Sequence, residues 1–252
     1  MWIGIITIFP EVFSVFSSYG MSNKSLKTCN IKLCVFNPRY FVENFFVDCK
    51  PYSKVPGLLL NVEILKNVLN YAKFESKNIN TKVIYLSPKG NIINQCLLID
   101  FLSCSSVIFI SGKYEGIDER FIEFFVDYEI SVGDFILSSG EFVIMFLIDA
   151  FIRLYPKILN NPSSVLDDSF MEYMFDSPHY TKPKNICNLI IPEVLILGDL
   201  FVLEVWKLRV KLGNTFFKRR DLFNNFKMLR IHYVLLRNFI LRSRRKKYEY
   251  FR

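Results

Sequence analysis

Short apolar runs alternate with stretches of helical spacing through the first 155 residues of the chain. Continuous apolar runs of strand length occupy residues 1–9, 31–36, 82–86, 107–111 and 128–131. Apolar positions three and four residues apart predict helices over 11–17, 61–75, 117–125 and 141–155. Strands that alternate with helices predict an α/β domain with a mainly parallel sheet.

A polar segment separates this domain from a second one. Residues 156–172 are rich in proline, asparagine, serine and aspartate, so they predict a linker. Beyond Pro192 the pattern becomes helical and basic, with helices predicted over 199–212, 219–228 and 230–245. We therefore expect a first domain over 1–160, a linker over 161–172 and a small all-helical domain over 173–252.

Glycine placement indicates a pocket in the first domain. The chain has only 10 glycines, and six of them lie between positions 57 and 140. Three predicted strands end in turns that contain glycine: Ser87–Gly90, Gly112–Gly116 and Gly133–Gly140. Glycine permits positive φ and close approach of a ligand, and ligands bind at the carboxyl ends of parallel strands. Each turn alone is compatible with an ordinary connection, but their convergence favours one small-molecule pocket.

The charge is distributed unevenly. The net charge of the chain is +8, but residues 204–252 contain 15 lysines and arginines against 3 acids, which gives +12. The remaining residues therefore carry −4. Such asymmetry indicates that the C-terminal part of the chain binds a polyanion, most simply a nucleic acid. A basic face that is merely exposed to solvent would have the same composition.

Several classes of site do not occur in the sequence. The six cysteines form no C-x-x-C pair or zinc spacing, which indicates free thiols in a reducing cytoplasm. The two histidines, His179 and His232, are far apart, and no Walker A loop, dinucleotide-binding glycine motif or nucleophile elbow occurs. No export signal and no apolar run of bilayer length is present, so we expect a cytoplasmic protein without a membrane partner.

The candidate pocket suits an adenine-containing ligand held mainly by main-chain groups.

Two charged residues outside the candidate pocket could take part in chemistry. Asp168 lies in the predicted linker, where a carboxylate could act as a general base. Arg153 lies at the end of an apolar helix and could stabilise negative charge that develops on an oxygen. From the sequence alone, both residues could equally well be ordinary solvent-exposed charges. Asp168 could also be the N-cap of a helix.

The chain resembles the bacterial tRNA (guanine-N1)-methyltransferase family, TrmD, of the knotted SPOUT class. The most specific matches are Gly112-Lys-Tyr-Glu-Gly-Ile-Asp-Glu-Arg120 and Pro178-His-Tyr-Thr-Lys-Pro183. Further matches run in family order over almost the whole chain: Met1–Ile6, Phe9–Glu11, Pro38-Arg39, Tyr85–Gly90, Val132–Ser138, Leu147–Asp149 with Arg153, Asp168–Phe170, Trp206, Leu212-Gly213 and Lys218-Arg219.

This resemblance implies a fold and a reaction. The fold would be a SPOUT-type parallel sheet with a trefoil knot, in a homodimer that binds tRNA. S-adenosyl-L-methionine would donate a methyl group to N1 of the guanosine immediately 3′ of the anticodon. Asp168 would take the N1 proton, and Arg153 would support it and the charge on guanine O6. The cofactor pocket would be lined by Leu86, Ser87, Pro88, Gly112, Tyr114, Gly116, Val132, Gly133, Asp134, Phe135, Ile136, Leu137 and Gly140.

A magnesium ion is also a family trait, but the sequence shows no ligand cluster for one. Glu115 is the single candidate, and we assign no metal ligands.

The sequence also departs from the family pattern. A glycine-rich family stretch is replaced by Pro51-Tyr-Ser-Lys-Val-Pro-Gly57, and a further family glycine is replaced by Ser139. Because a side chain restricts positive φ, these changes raise the question of weakened cofactor and guanine binding. A tRNA-binding protein with a decayed catalytic site is therefore one alternative, and a methyltransferase for another RNA base is a second.

Overall fold

A computed structural model describes residues 1–18, 20–28, 31–52, 57–155, 168–187 and 189–249. The chain divides into two compact units, Met1–Pro162 and Ser163–Arg252. The changed positions 53–56 and linker residues 161–167 lie outside the described residues.

The first unit is built on a parallel sheet. Its five strands are β1 (Trp2–Ile6), β2 (Lys32–Phe36), β5 (Lys82–Ile92), β6 (Ser106–Ile110) and β7 (Tyr128–Ser131). They pair in the order β2-β1-β6-β5-β7, and every pairing is parallel. The predicted α/β domain with a parallel sheet is therefore confirmed.

Helices flank this sheet. They are α1 (Glu11–Ser18), α2 (Gly20–Thr28), α3 (Val62–Ser76), α4 (Gln95–Leu102), α5 (Glu119–Phe125) and α6 (Gly140–Leu154). Residues 37–61, which show no clear sequence pattern, contain a 3-10 helix (Pro38–Phe41) and two short antiparallel strands, β3 (Asp48–Cys49) and β4 (Leu59–Leu60). Helices α2 and α4 were not predicted. The sequence of α2 is polar and that of α4 is largely apolar, so neither shows a clear amphipathic repeat.

Two hydrophobic cores lie against the sheet, one for each alternate set of strand side chains. Ile3, Ile5 and Phe109 pack in one core with apolar residues of α1, α4 and α6. Ile6 and Ile108 pack in the other core with residues of α3 and α5. Because β1 and β6 are buried along their whole length, their sequences are continuously apolar rather than alternating.

The second unit is mainly helical. Its helices are α7 (Val194–Leu197), α8 (Leu200–Lys218), α9 (Arg220–Asn225) and α10 (Arg230–Glu249). Met174, Leu212 and Leu235 form its buried core. Two short antiparallel strands, β8 (Asn185–Ile186) and β9 (Leu189–Ile190), precede the helices. An all-helical description of 173–252 is therefore incomplete, because strands of two residues are too short to leave a sequence pattern.

None of the described helices is long and apolar enough to cross a membrane.

Candidate active site

A cavity of about 430 Å³ in the first unit lies at the carboxyl ends of two strands and at a bulge in the strand between them. The strands are β6, β5 and β7, which lie side by side in the sheet. The cavity is lined by twelve of the thirteen predicted cofactor residues: Leu86, Ser87, Pro88, Gly112, Tyr114, Gly116, Val132, Gly133, Phe135, Ile136, Leu137 and Gly140. Asp134 is not among the lining residues. The structure thus brings together loops that are separated by about 50 residues of sequence.

The segment Ser87–Gly90 is a bulge rather than the end of a strand. β5 pairs with β7 through Leu86↔Ile130, shifts register, and pairs again through Asn91↔Ile130. A Cβ at Gly90 would lie 2.4 Å from backbone atoms of Glu129 and Ile130, so only glycine lets the chain pass β7 this closely. The sequence prediction placed the strand end at Leu86, and the structure corrects it to Ile92.

Tyr85 supports the loop after β6. A Cβ at Gly112 would lie 2.8 Å from the Tyr85 hydroxyl oxygen, so the glycine lets the ring pack beneath the loop. Gly116 has a φ of +113°, which disfavours any L side chain there. Burial, with the nearby Glu129 carboxylate, raises the pKa of Tyr85 to about 12. Tyr85 is therefore neutral near pH 7 and fills space rather than acting as a base.

A buried carboxylate fixes the loop after β7. Glu141, in the first turn of α6, is only 1% exposed. It accepts hydrogen bonds from the Thr7 hydroxyl at 2.5 Å and from the Ser139 hydroxyl. Burial alone would raise the pKa of Glu141, but these hydrogen bonds outweigh burial and lower that pKa. Glu141 thus joins the segment after β1 to the floor of the cavity, a role that the sequence analysis missed.

Ser139, which replaces a family glycine, fits the local backbone. Its φ of −158° is extended, and any residue adopts it. Its hydroxyl also donates a side-chain hydrogen bond to Glu141. The replacement therefore introduces no backbone strain beside the cavity.

We predict that Glu141→Gln will lower the free energy of unfolding by about 1–3 kcal/mol at pH 7, because the amide cannot satisfy both hydroxyl donors as an acceptor. The folded-state pKa of Glu141 lies below the ordinary value of 4.5, so its stabilisation is present above that pH. It is lost as the pH falls through the folded-state pKa, and the difference between variant and wild type should then shrink. Urea unfolding at pH 7 and pH 4 measures this, with the exposed Glu123→Gln as control. An unchanged difference between the two pH values would contradict the role of the charge.

The two predicted catalytic residues lie in different units. Arg153 is an exposed residue in the last turn of α6. Asp168 is half-buried at the start of a tight turn in the second unit. The Ser169 hydroxyl donates to the Asp176 carboxylate at 2.5 Å, and the Phe170 N–H donates to the Met174 carbonyl at 2.7 Å. This turn is tied to the core of the second unit through Met174.

Among the described residues, no three histidine, cysteine, aspartate or glutamate side chains form a group that could hold a metal ion. Glu115 is exposed and stands beside Gly57. A single carboxylate does not meet the needs of a magnesium site built from protein ligands, so we derive no step through a metal.

Comparison with known proteins places the chain in a family. The family model described as tRNA (Guanine-1)-methyltransferase TrmD matches residues 1–225. A tRNA (guanine-N(1)-)-methyltransferase of Shewanella denitrificans is 38% identical over 242 residues, which are 95% of this chain and 97% of the relative. The enzyme of the same name from Shewanella sp. strain ANA-3 is 39% identical over the same shares of the two chains.

A solved structure agrees with these relatives. The crystal structure of tRNA (m1G37) methyltransferase from Aquifex aeolicus is similar, with a TM-score of 0.68 and 33% sequence identity. The similarity covers 89% of this chain and 95% of the Aquifex chain. The loops that line the cavity lie within the matched residues 1–225. The chain therefore belongs to the tRNA (guanine-1)-methyltransferase family TrmD.

Proposed function

We propose that this protein is a tRNA (guanine37-N1)-methyltransferase that uses S-adenosyl-L-methionine in the cytoplasm. The observation that carries the proposal is the cavity formed by the loops after β6 and β7 and the bulge in β5, because it unites the glycine-containing segments that match the family. The names of the relatives and of the Aquifex structure support the same activity.

The cavity residues suit the proposed methyl donor. Leu86, Val132 and Leu137 provide apolar surface, and the loops around Gly112 and Gly133 bring main-chain groups to the cavity wall. Glu129 lines the same cavity, and its Oε1 is buried with no hydrogen-bond partner among the described residues. A ligand with hydroxyl or amino donors, which S-adenosyl-L-methionine has, would satisfy this oxygen. When bound, the cofactor supplies a methyl group on a sulfonium.

The remaining chemistry belongs to side chains of this chain. Guanine N1 carries a proton and is a poor nucleophile until that proton leaves. In our proposal Asp168 accepts the proton, and Arg153 stabilises the negative charge that then gathers on guanine O6. With the proton on Asp168, N1 would be free to accept the methyl group, whose bond to the sulfonium sulfur would break to leave a neutral thioether.

We further propose that the first unit has the trefoil knot of the family and forms a homodimer. Contacts between the loops after β6 and β7 support the knot: the Lys113 ammonium donates to the Ser138 carbonyl at 3.3 Å, and Gly140 packs on Ser111. Exposed apolar side chains on α6 support the homodimer, since Phe142 is 56% exposed and Phe146 is 59% exposed. A patch of this kind marks an interaction surface.

A basic and aromatic cavity in the second unit supports tRNA as the substrate. It has a volume of about 790 Å³, and its lining includes Tyr180, Trp206, Arg209 and Arg242. The rings of Tyr180 and Trp206 lie 6.4 Å apart between centroids. Burial and the nearby Arg242 charge lower the pKa of Arg209, and no ion pair joins either arginine to a carboxylate in the part of the chain that the structure describes. Glu193 also lines this cavity, but it forms no ion pair with either arginine among the described residues. Two neighbouring cations that are not ion-paired favour a polyanion.

We predict that Arg209→Gln will weaken tRNA binding about tenfold and reduce the slope of log affinity against log salt by about one. The reason is the loss of one phosphate contact. Filter binding over a range of salt concentrations measures both quantities. Arg219→Gln is the matched control, because Asp221 neutralises that arginine through hydrogen bonds of 2.9 and 2.6 Å. Equal slopes for wild type and Arg209→Gln would contradict the assignment.

Point variants test the role of the basic residues in tRNA binding more cleanly than deletion of the basic segment 204–252 would. Removing residues 204–252 would also remove Leu212 and Leu235 from the core that they form with Met174. The loss of tRNA binding would then report unfolding of the second unit rather than loss of charge.

One assay separates the proposal from its alternative. A tRNA-binding protein with a decayed site would bind unmodified tRNA but transfer no methyl group from S-adenosyl-L-methionine. The alternative is not favoured, because the family-matching loops still enclose one cavity and the relatives described above are named as methyltransferases. Label from methyl-labelled S-adenosyl-L-methionine that appears in tRNA supports the proposal, and binding without transfer contradicts it.

A further inference from the structure

Three side chains meet at the ends of β2, β1 and β6, at the same edge of the sheet as the methyl-donor cavity. Arg39 is in the 3-10 helix after β2, Phe9 follows β1, and Lys113 is in the loop after β6. The Lys113 Nζ lies 4.8 Å from the centroid of the Phe9 ring, and the Arg39 Cζ lies 5.9 Å from the same centroid. Both distances are typical of cation–π contacts. We call these three residues the cation cluster.

The positive charges of the cation cluster are not neutralised. Arg39 and Lys113 are half-buried, yet neither forms an ion pair with a carboxylate in the described ranges. Within the described part of the chain, the one hydrogen bond of the Lys113 ammonium goes to a main-chain carbonyl, that of Ser138. Phe9 itself stays 37% exposed. Partial removal of a cation from water costs free energy that a nearby anion would offset, so an external anion would complete this cluster.

Its position distinguishes between possible anions. Lys113 lines the methyl-donor cavity, whereas Arg39 does not. The cluster therefore extends from the cavity mouth along the sheet edge toward β2, away from β5 and β7. A ligand that touches both charges must reach outside the cavity. RNA does so, because a strand that delivers a base to the cavity carries its phosphates past the mouth.

We propose that Arg39 and Lys113 bind phosphates of the RNA strand beside the target guanosine, and that the Phe9 ring holds the two cations in place. This inference rests on the proposed function. The planar guanidinium of Arg39 suits bidentate contact with a phosphate, and Lys113 acts as a point charge. Such contacts position the strand without reading its sequence. The first unit would then take part in holding tRNA, in addition to the basic second unit.

The test is tRNA binding by Arg39→Gln over a range of salt concentrations. We expect the affinity for an unmodified tRNA transcript to fall about tenfold, the usual cost of one charged hydrogen-bond contact. The slope of log affinity against log salt should fall by about one. The affinity for S-adenosyl-L-methionine, measured by calorimetry, should stay unchanged because Arg39 does not line the cavity.

A matched control removes a similar charge elsewhere. Lys66 lies 5.8 Å from the centroid of the Phe125 ring and is exposed, but it is outside the cavity lining. Lys66→Gln should leave the salt slope as in wild type. Arg39→Lys should restore most of the slope, because it keeps the charge, and Phe9→Leu should lower the affinity, because it removes the ring that holds both cations.

Two results would overturn the inference. One is an Arg39→Gln protein that remains folded and binds tRNA with the wild-type affinity and slope. The other is weaker binding of S-adenosyl-L-methionine with unchanged tRNA binding, which would assign the cluster to the carboxylate of the cofactor. Neither result depends on catalysis. A wild-type protein that transfers no methyl group would instead refute the proposed function.

Discussion

Replacing Asp168 with asparagine should slow methyl transfer by about 100-fold or more, the range that a general base contributes. Asparagine keeps the size of the side chain but cannot accept the N1 proton of guanine. Binding of S-adenosyl-L-methionine should be unaffected, because Asp168 is not among the residues that line the cavity. Single-turnover rates with saturating tRNA and cofactor measure the chemical step directly.

The control for this experiment is Glu172→Gln, which removes an exposed carboxylate four residues along the same segment. It should leave the rate within about twofold of wild type, as surface substitutions usually do. Thermal unfolding of both variants checks that the turn closed by Ser169 and Asp176 remains folded. A folded Asp168→Asn protein with a near-normal rate would exclude Asp168 as the base.

The second large effect is expected at the floor of the cavity. Gly133→Trp should weaken S-adenosyl-L-methionine binding by about 100-fold or more, since a residue with a φ of +141° tolerates a side chain poorly and the indole would occupy ligand space. A Cβ at this position would already lie 2.9 Å from the Phe135 ring. Calorimetric titration with the cofactor gives the change in affinity.

Gly198→Trp is the matched control, because it separates backbone strain from occlusion. Gly198 also has a positive φ of +73°, but a Cβ added there would have no atom within 4 Å among the described residues, and the position is in the second unit. This variant should lose stability yet keep its affinity for the cofactor. Equal affinity in wild type and Gly133→Trp would show that the cofactor binds elsewhere.

The strands and helices around the cavity could be predicted from the sequence because they are buried and periodic. β1 and β6 are continuous apolar runs, and α3 buries Leu65, Val68, Leu69 and Ala72 at helical spacing. The turns after β6 and β7 were expected to converge because ligands bind at the carboxyl ends of parallel strands, and the cavity confirms this. The third turn, Ser87–Gly90, lines the same cavity but is a bulge within β5. The identity of the ligand came from the family resemblance, since composition and periodicity do not specify S-adenosyl-L-methionine.

Other features depend on contacts that sequence spacing does not reveal. The sequence analysis assigned no role to Glu141, because its hydrogen bond joins it to Thr7, which lies 134 positions away. The cation cluster likewise joins residues from three strand ends. The continuation of β5 to Ile92 reflects pairing on both sides of a bulge, which the Pro88–Gly90 sequence conceals. Each of these features depends on contacts between residues far apart in sequence, so it could be seen only in the structure.

The central claim is methylation of one atom of one nucleotide, and a single measurement tests it. The purified protein is incubated with S-adenosyl-L-methionine and an unmodified tRNA transcript that carries guanosine immediately 3′ of the anticodon. Nuclease fragments are then mapped by mass spectrometry, with a transcript that carries adenosine at that position as control. Our account predicts N1-methylguanosine at this position in the first transcript and no methylation of the control. An unmethylated first transcript, or a methyl group on any other atom or nucleotide, would contradict it.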